Sequence, residues 1–120
     1  MNALLDTNIV IYFLKGAGKV VESISKADKV AVSFITEIEL QCYDVMPGEL
    51  KKIKSLLNEI EIFYPNKATV KNTIYIRNKT GLRLPDAIIC AQAKQYNYTL
   101  FSNDKRLLKK SREFEVFNPL

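Results

Sequence analysis

Short apolar runs that favour β-strands alternate with helical patterns along the whole chain. The strand-like runs cover residues 2–5, 29–32, 60–64, 99–101 and 114–117. The caps, stop signals and apolar spacing between them predict helices over residues 7–15, 20–26, 36–46, 49–58, 67–79, 85–95 and 104–110. This alternation is typical of an α/β domain with a mainly parallel sheet and helices on both faces. At 120 residues, we expect residues 1–120 to form a single domain.

Four acidic residues stand near the starts of predicted helices. Asp6 follows the first strand, Glu39 lies in the helix after the second strand, Asp86 comes directly after Pro85, and Asp104 follows the fourth strand. In a parallel sheet the strands end at one edge and the next helices begin there, and such folds bind ligands at that edge. The sequence therefore predicts that the four carboxylates meet.

Helix capping is the alternative explanation for each acid taken alone. Acidic side chains favour the first helical turn because the helix dipole is positive there. Thr36 and Glu39 match the Thr-x-x-Glu capping box, and Asp6 or Asp104 could serve as an N-cap. Glu37, two positions before Glu39 and turned about 200° from it on a helix, is not expected to reach the site.

Carboxylates that share a pocket repel one another. Two of them about 4 Å apart raise the energy by roughly 4 kcal/mol at an effective dielectric constant near 20. A cluster of four therefore calls for a cation or for protons. Oxygen ligands suit hard divalent ions, so Mg²⁺ or Mn²⁺ is the expected cofactor, and a metal-activated water could then cleave a phosphodiester bond.

The rest of the composition excludes several other classes of site. The chain has no histidine, which rules out Ser-His-Asp and Cys-His catalysis and argues against a zinc site. Cys42 and Cys90 have no metal-ligand spacing and fall within helical patterns, so we expect buried free thiols and a cytoplasmic protein. No apolar run reaches the roughly 20 residues that span a bilayer.

Positive charge is concentrated in one part of the chain. Residues 66–112 contain eleven Lys and Arg and only two acids, Asp86 and Asp104, which gives a balance of +9. Such a segment favours an anionic partner, most simply nucleic acid, although a solvated helix surface is the alternative. The predicted RNA contacts beside the acids are Lys105, Arg106, Lys109 and Lys110.

Four motifs in order resemble the PIN-domain ribonucleases, and most closely the VapC-type toxins of toxin–antitoxin pairs. They are Leu-Leu-Asp-Thr-Asn at 4–8, Ser-x-x-Thr-x-x-Glu-Leu at 33–40, Pro-Asp-Ala-Ile-Ile-Cys-Ala at 85–91 and Ser-Asn-Asp at 102–104. The resemblance implies the strand order 3-2-1-4-5 and Mg²⁺- or Mn²⁺-dependent endonucleolytic cleavage of RNA.

The same resemblance implies roles for individual residues and for partners. It makes Asp6, Glu39, Asp86 and Asp104 the metal-binding catalytic acids, supported by Thr7, Asn8 and Ser102. It also implies a homodimer and a cognate antitoxin protein.

Two other functions remain open at this point. One is a catalytically silent RNA-binding or assembly module on the same fold, since a fold does not fix a function. The other is a phosphotransfer enzyme or phosphatase with Asp6 as nucleophile. The sequence speaks against the second, because Thr7-Asn8 follows Asp6 and no second acid stands two residues on.

Overall fold

The computed structural model describes residues 1–42, 45–110 and 112–120. Its strands are β1 (Asn2–Leu5), β2 (Lys29–Ser33), β3 (Glu61–Phe63), β4 (Thr99–Phe101) and β5 (Val116–Phe117). They form a five-stranded sheet in the order β3-β2-β1-β4-β5, and each neighbouring pair is parallel. The predicted α/β fold, its parallel sheet and its strand order are therefore confirmed.

Helices fill the connections between the strands. They are α1 (Thr7–Leu14), α2 (Gly18–Ser25), α3 (Phe34–Leu40), α4 (Leu50–Glu59), α5 (Lys67–Thr80), α6 (Leu84–Tyr96) and α7 (Lys105–Leu108). None of the described helices has the length and hydropathy that crossing a membrane requires.

The central strands are buried on both faces, and their alternate side chains enter two separate cores. Leu4 packs in the core under α5, α6 and α7, whereas its neighbours Ala3 and Leu5 pack in the core under α1, α2 and α4. Leu100 and Phe101 of β4 divide in the same way. This period of two confirms that helices cover both faces of the sheet.

Local signals set the ends of α5 and α6 as the sequence predicts. Gly81 ends α5 in the left-handed conformation, with φ of 70°, and its N–H donates to the Arg77 carbonyl. Pro85 lies in the first turn of α6, where a missing N–H leaves no hydrogen bond unmade. Apart from α3, the predicted helices and strands differ from the observed ones by no more than two residues at either end.

The helix predicted over residues 36–46 is wrong at both ends. It begins at Phe34, because Ser33 is the N-cap and its hydroxyl accepts from the Ile35 N–H at 3.1 Å. It ends at Leu40, because the next two N–H groups bond to carbonyls three residues back and tighten the chain into a turn. Val45 and Met46 are not helical, and residues 43 and 44 of the predicted helix lie outside the described residues.

The shift of α3 also changes the interpretation of Thr36 and Glu39. Thr36 is inside the helix and cannot be its N-cap, so the predicted capping box is wrong. Glu39 lies next to the last residue of α3, where the helix dipole does not favour an acid. Capping therefore does not explain the presence of Glu39.

Candidate metal centre

A cavity of about 410 Å³ opens where β1 and β4 end and α1 and α7 begin. All four predicted acids line it. The lining residues are Asp6, Thr7, Asn8, Ile11, Glu39, Cys42, Val45, Asp86, Asp104 and Arg106. The structure thus brings together acids from the starts of α1, α6 and α7 and from the end of α3.

Asp6 is the most buried of the four acids, with 9% of its surface exposed. It is the N-cap of α1, and its Oδ1 accepts from the Thr7 N–H at 2.9 Å. Its Oδ2 accepts from the Ser102 hydroxyl at 2.8 Å. Both carboxylate oxygens are therefore held by hydrogen bonds. Asp6 caps α1 and also lines the cavity.

Ser102 joins the ends of the two central strands. Its fully buried hydroxyl donates to Asp6 and accepts from the Asp104 N–H at 3.0 Å. One side chain therefore orients the acid after β1 and the turn that carries the acid after β4. The supporting role expected for Ser102 stays a prediction.

Thr7 orients the acid of α3. Its hydroxyl donates to Glu39 Oε1 at 2.6 Å and lies 3.0 Å from the Thr36 hydroxyl. Because the single hydroxyl proton of Thr7 is used on Glu39, the Thr36 hydroxyl is the donor to Thr7. Asn8 also lines the cavity, but it is exposed, and its side chain forms no hydrogen bond with other described residues.

Arg106 lies on two of the acids. Its Nη2 is 2.7 Å from Asp104 Oδ2 and 3.4 Å from Asp86 Oδ2, and its Nε donates to Asp104 Oδ1 at 3.2 Å. Asp104 is also the N-cap of α7 and accepts from the Arg106 N–H at 2.9 Å. Arg106 was predicted to contact RNA, and the structure places it on the acidic site itself.

The three aspartates of the cavity divide into two electrostatic classes. Burial raises the pKa of Asp6, against the hydrogen bonds from Ser102 and Thr7, and the nearby charges of Asp86 and Glu39 add to the rise. Burial also raises the pKa of Asp86, against the attraction of Arg106. The hydrogen bond from the Arg106 side chain holds the pKa of Asp104 below its usual range. The charge on Asp6 and Asp86 is therefore the less well compensated.

The donor set fits a hard divalent cation, because most of its donors are carboxylate, hydroxyl and amide oxygens, beside one thiol and no imidazole. In the part of the chain that the structure describes, no three carboxylates or thiols lie close enough to hold one ion together as they stand. Arg106, bound to Asp86 and Asp104, draws on the same oxygens that a cation would use. The Arg106 side chain is itself exposed.

Of the remaining described residues singled out in the sequence, only Cys42 lines the cavity. Lys105, Lys109 and Lys110 are exposed on and just after α7. Cys90 is a buried free thiol as predicted, and burial raises its pKa. Cys42 was expected to be buried, but it is exposed and lines the cavity, because α3 ends before it.

Solved structures of other proteins contain chains with the same fold. A chain of a toxin–antitoxin complex from Klebsiella pneumoniae is 24% identical, with a TM-score of 0.82 and 98% of each chain covered. A chain of FitAcB from Neisseria gonorrhoeae is 26% identical, with a TM-score of 0.72 and coverage of 98% of this chain and 97% of that one. A chain of DNA-bound VapBC from Salmonella typhimurium is 17% identical, with a TM-score of 0.84 and coverage of 100% and 99%.

A comparison with curated proteins finds no match. The family model for the PIN domain matches residues 3–113, a range that contains the whole acidic cavity, β2, β3, β4 and all of β1 except its first residue. On this match, the chain belongs to the PIN domain family.

Proposed function

We propose that this protein is a divalent-metal-dependent endoribonuclease and the toxin of a toxin–antitoxin pair. The observation that carries the proposal is the convergence of Asp6, Glu39, Asp86 and Asp104 on one cavity, from four different helices or their caps. Four carboxylates that converge repel one another and destabilise the fold, so their convergence indicates a function. The chain has no histidine to act as an acid or base, which favours a metal ion bound by these carboxylates.

The mechanism assigns the four acids to holding Mg²⁺ or Mn²⁺. A bound ion of this kind lowers the pKa of a water molecule and stabilises charge on a phosphoryl oxygen. Ser102 and the Thr7 N–H hold the two oxygens of Asp6, and the Thr7 hydroxyl holds Glu39. These bonds orient Asp6 and Glu39, and Asp86 and Asp104 would move toward them to share one ion.

The basic residues of α7 complete the proposed site. Lys105, Lys109 and Lys110 would neutralise phosphates of the RNA next to the cleaved bond. Arg106 competes with the metal ion for Asp86 and Asp104. Once displaced, its guanidinium is available to a substrate phosphate, so Arg106 remains a proposed RNA contact.

The proposed partner is a cognate antitoxin protein. Support comes from the structural relatives, which are chains of toxin–antitoxin complexes and cover 98% or more of this chain. The homodimer that the family resemblance implies stays a prediction. Light scattering of the purified protein, alone and with the product of a neighbouring reading frame, tests both.

Cleavage of labelled RNA tests the proposed activity. We expect cleavage with Mn²⁺, none with EDTA, and a loss of at least about a hundredfold in Asp6→Asn. Glu39→Gln and Glu37→Gln form a matched pair on α3. Glu39 lines the cavity. Glu37 does not line it, and its carboxylate accepts from the Tyr64 hydroxyl, with a distance of 3.0 Å to each oxygen. We expect loss of activity in the first variant and full activity in the second.

The same assay separates the alternative function. RNA binding without cleavage, in the presence of Mn²⁺, would identify a catalytically silent RNA-binding module. Equal cleavage with Mn²⁺, with EDTA and in Asp6→Asn would contradict the metal-dependent mechanism.

A further inference from the structure

A second charged depression lies beyond the end of α7. It has a volume of about 340 Å³ and is lined by Lys79, Thr80, Lys109, Lys110, Arg112 and Glu113. We call Lys79, Lys109, Lys110 and Arg112 the basic pocket. Lys79 comes from the last turn of α5, and the other three follow α7, so tertiary packing brings the four cations together.

The basic pocket contains more positive charge than its own acids neutralise. Across residues 1–42, 45–110 and 112–120, none of its four basic side chains forms an ion pair. Its one acid is Glu113, whose nearby carboxylate raises the pKa of the Tyr75 hydroxyl. Like charges that converge on one depression raise the free energy of the fold, so stability does not explain the arrangement.

A helix-dipole explanation covers two of the four residues, Lys79 and the α7 C-cap Lys109. Lys79 lies in the last turn of α5, where a cation interacts favourably with the carbonyl end of the helix. Lys110 and Arg112 lie beyond the four-residue α7, outside any described helix. Their convergence with Lys79 therefore needs another reason.

The basic pocket adjoins the acidic cavity through α7. Asp104 caps the start of α7, and Lys109 is its C-cap. Five residues at a rise of about 1.5 Å each span about 8 Å. The cavity and the pocket are thus close enough for a short stretch of one RNA strand to reach both.

We propose that the basic pocket binds backbone phosphates of the RNA strand whose scissile bond lies in the acidic cavity. This inference rests on the proposed ribonuclease function. The four cations would hold phosphates close to the cleaved bond. They would contact the backbone and not the bases, so the pocket contributes affinity and position without sequence preference.

Fluorescence anisotropy of a labelled single-stranded RNA 12-mer, in EDTA to prevent cleavage, tests the proposal. The test variant is the double substitution Lys79→Gln/Arg112→Gln. The matched control, Lys51→Gln/Lys54→Gln, removes the same charge from exposed positions on α4, which packs on the opposite face of the sheet. Circular dichroism verifies the fold of both.

We expect the Kd of the test variant to rise at least about tenfold at 0.1 M salt, with little change in the control. The slope of log K against log salt concentration should flatten by about 1.4, which is about 0.7 for each lost contact to a single strand. Inorganic phosphate at millimolar concentration should not displace the RNA, since several phosphates on one strand are bound together. Displacement by phosphate, or equal weakening in both double variants, would overturn the proposal.

Cleavage kinetics with Mn²⁺ separate this proposal from the function on which it rests. In the test variant KM should rise while kcat stays within about twofold of the parent value. If the protein cleaves no RNA but its RNA binding still depends on the basic pocket, the ribonuclease proposal fails and the pocket proposal stands. Cleavage with an unchanged KM and an unchanged salt slope would refute the pocket alone.

Discussion

Nη2 of Arg106 lies 2.7 Å from Oδ2 of Asp104, and the same nitrogen lies 3.4 Å from Oδ2 of Asp86. Asp86 is twenty residues before Arg106 in sequence, so the contact depends on the packing of α6 beside α7. A cation from the chain itself thus compensates two of the four acids. It uses oxygens that a divalent ion would also need.

Removal of the Arg106 charge should strengthen metal binding. We expect Arg106→Gln to lower the Kd for Mn²⁺ by about two- to fivefold, because the ion no longer displaces an exposed ion pair of modest strength. Isothermal titration calorimetry measures this directly. Lys105→Gln removes the same charge one residue away and should have a smaller effect. Equal gains in both variants would mean that long-range charge, and not the contact with Asp86 and Asp104, governs affinity.

Loss of the Ser102 hydroxyl should destabilise the protein. Ser102→Ala leaves an oxygen of Asp6 and the Asp104 N–H without their partner, and both lie in or beside the buried site. We expect a loss of about 1–3 kcal/mol in the free energy of unfolding, measured by urea denaturation. Ser23→Ala, which removes a hydrogen bond on the exposed surface of α2, should change stability by less than about 0.5 kcal/mol.

Asp6 should make the metal-free protein less stable as pH rises. Its folded-state pKa lies above the ordinary value of 3.8, so the folded protein holds this proton more tightly than the unfolded chain does. The stability that results is complete below pH 3.8 and is lost as pH rises through the folded-state pKa. Asp6→Asn should therefore be more stable than the parent protein at pH 7, by about 1 kcal/mol, and similar to it near pH 3.8.

Asp104 provides the opposite case for the same experiment. Its folded-state pKa is lowered, so its contribution is present above the ordinary pKa and is lost as pH falls through the folded-state pKa. Asp104→Asn should be less stable than the parent protein at pH 7. Urea denaturation in EDTA between pH 4 and pH 8 measures both variants. A stability change of the same sign for both at pH 7 would contradict the division of the acids into two classes.

Mn²⁺ should raise the melting temperature through the acidic cavity. A ligand that binds only the folded state adds about 2.7 kcal/mol at a concentration of 100 times its Kd. We expect a clear rise in Tm for the parent protein and for Glu37→Gln, and a much smaller rise for Asp86→Asn. Equal shifts in all three proteins would show that Mn²⁺ binds elsewhere.

The fold could be predicted because its signals are local. β-branched runs, the αL position of Gly81 and the early Pro85 each act over a few residues. The acids of the cavity could be predicted for a related reason: Asp6, Asp86 and Asp104 stand where helices begin, and a parallel sheet gathers those points at one edge.

The missed features depend on tertiary geometry. Arg106 is one of several basic residues around α7, and nothing in the sequence separates it from Lys105 as the partner of Asp86. Lys79 is thirty residues before Lys109, so the basic pocket is invisible until α5 and α7 are packed. α3 ends early because two N–H groups bond to carbonyls three residues back, and no glycine, proline or other stop signal in the sequence marks this position. That turn is also what brings Cys42 to the cavity wall.

The hydroxyl of Ser102 donates to a carboxylate 96 positions earlier in the chain. β1 acquires β4 as its second neighbour only after residues 99–101 have been synthesised. A nascent chain that ends before Ser102 has Asp6 but neither Ser102 nor Asp104, so it cannot assemble the acidic cavity. The proposed ribonuclease would therefore be inactive toward its own messenger and ribosome until this stretch of the chain has been made.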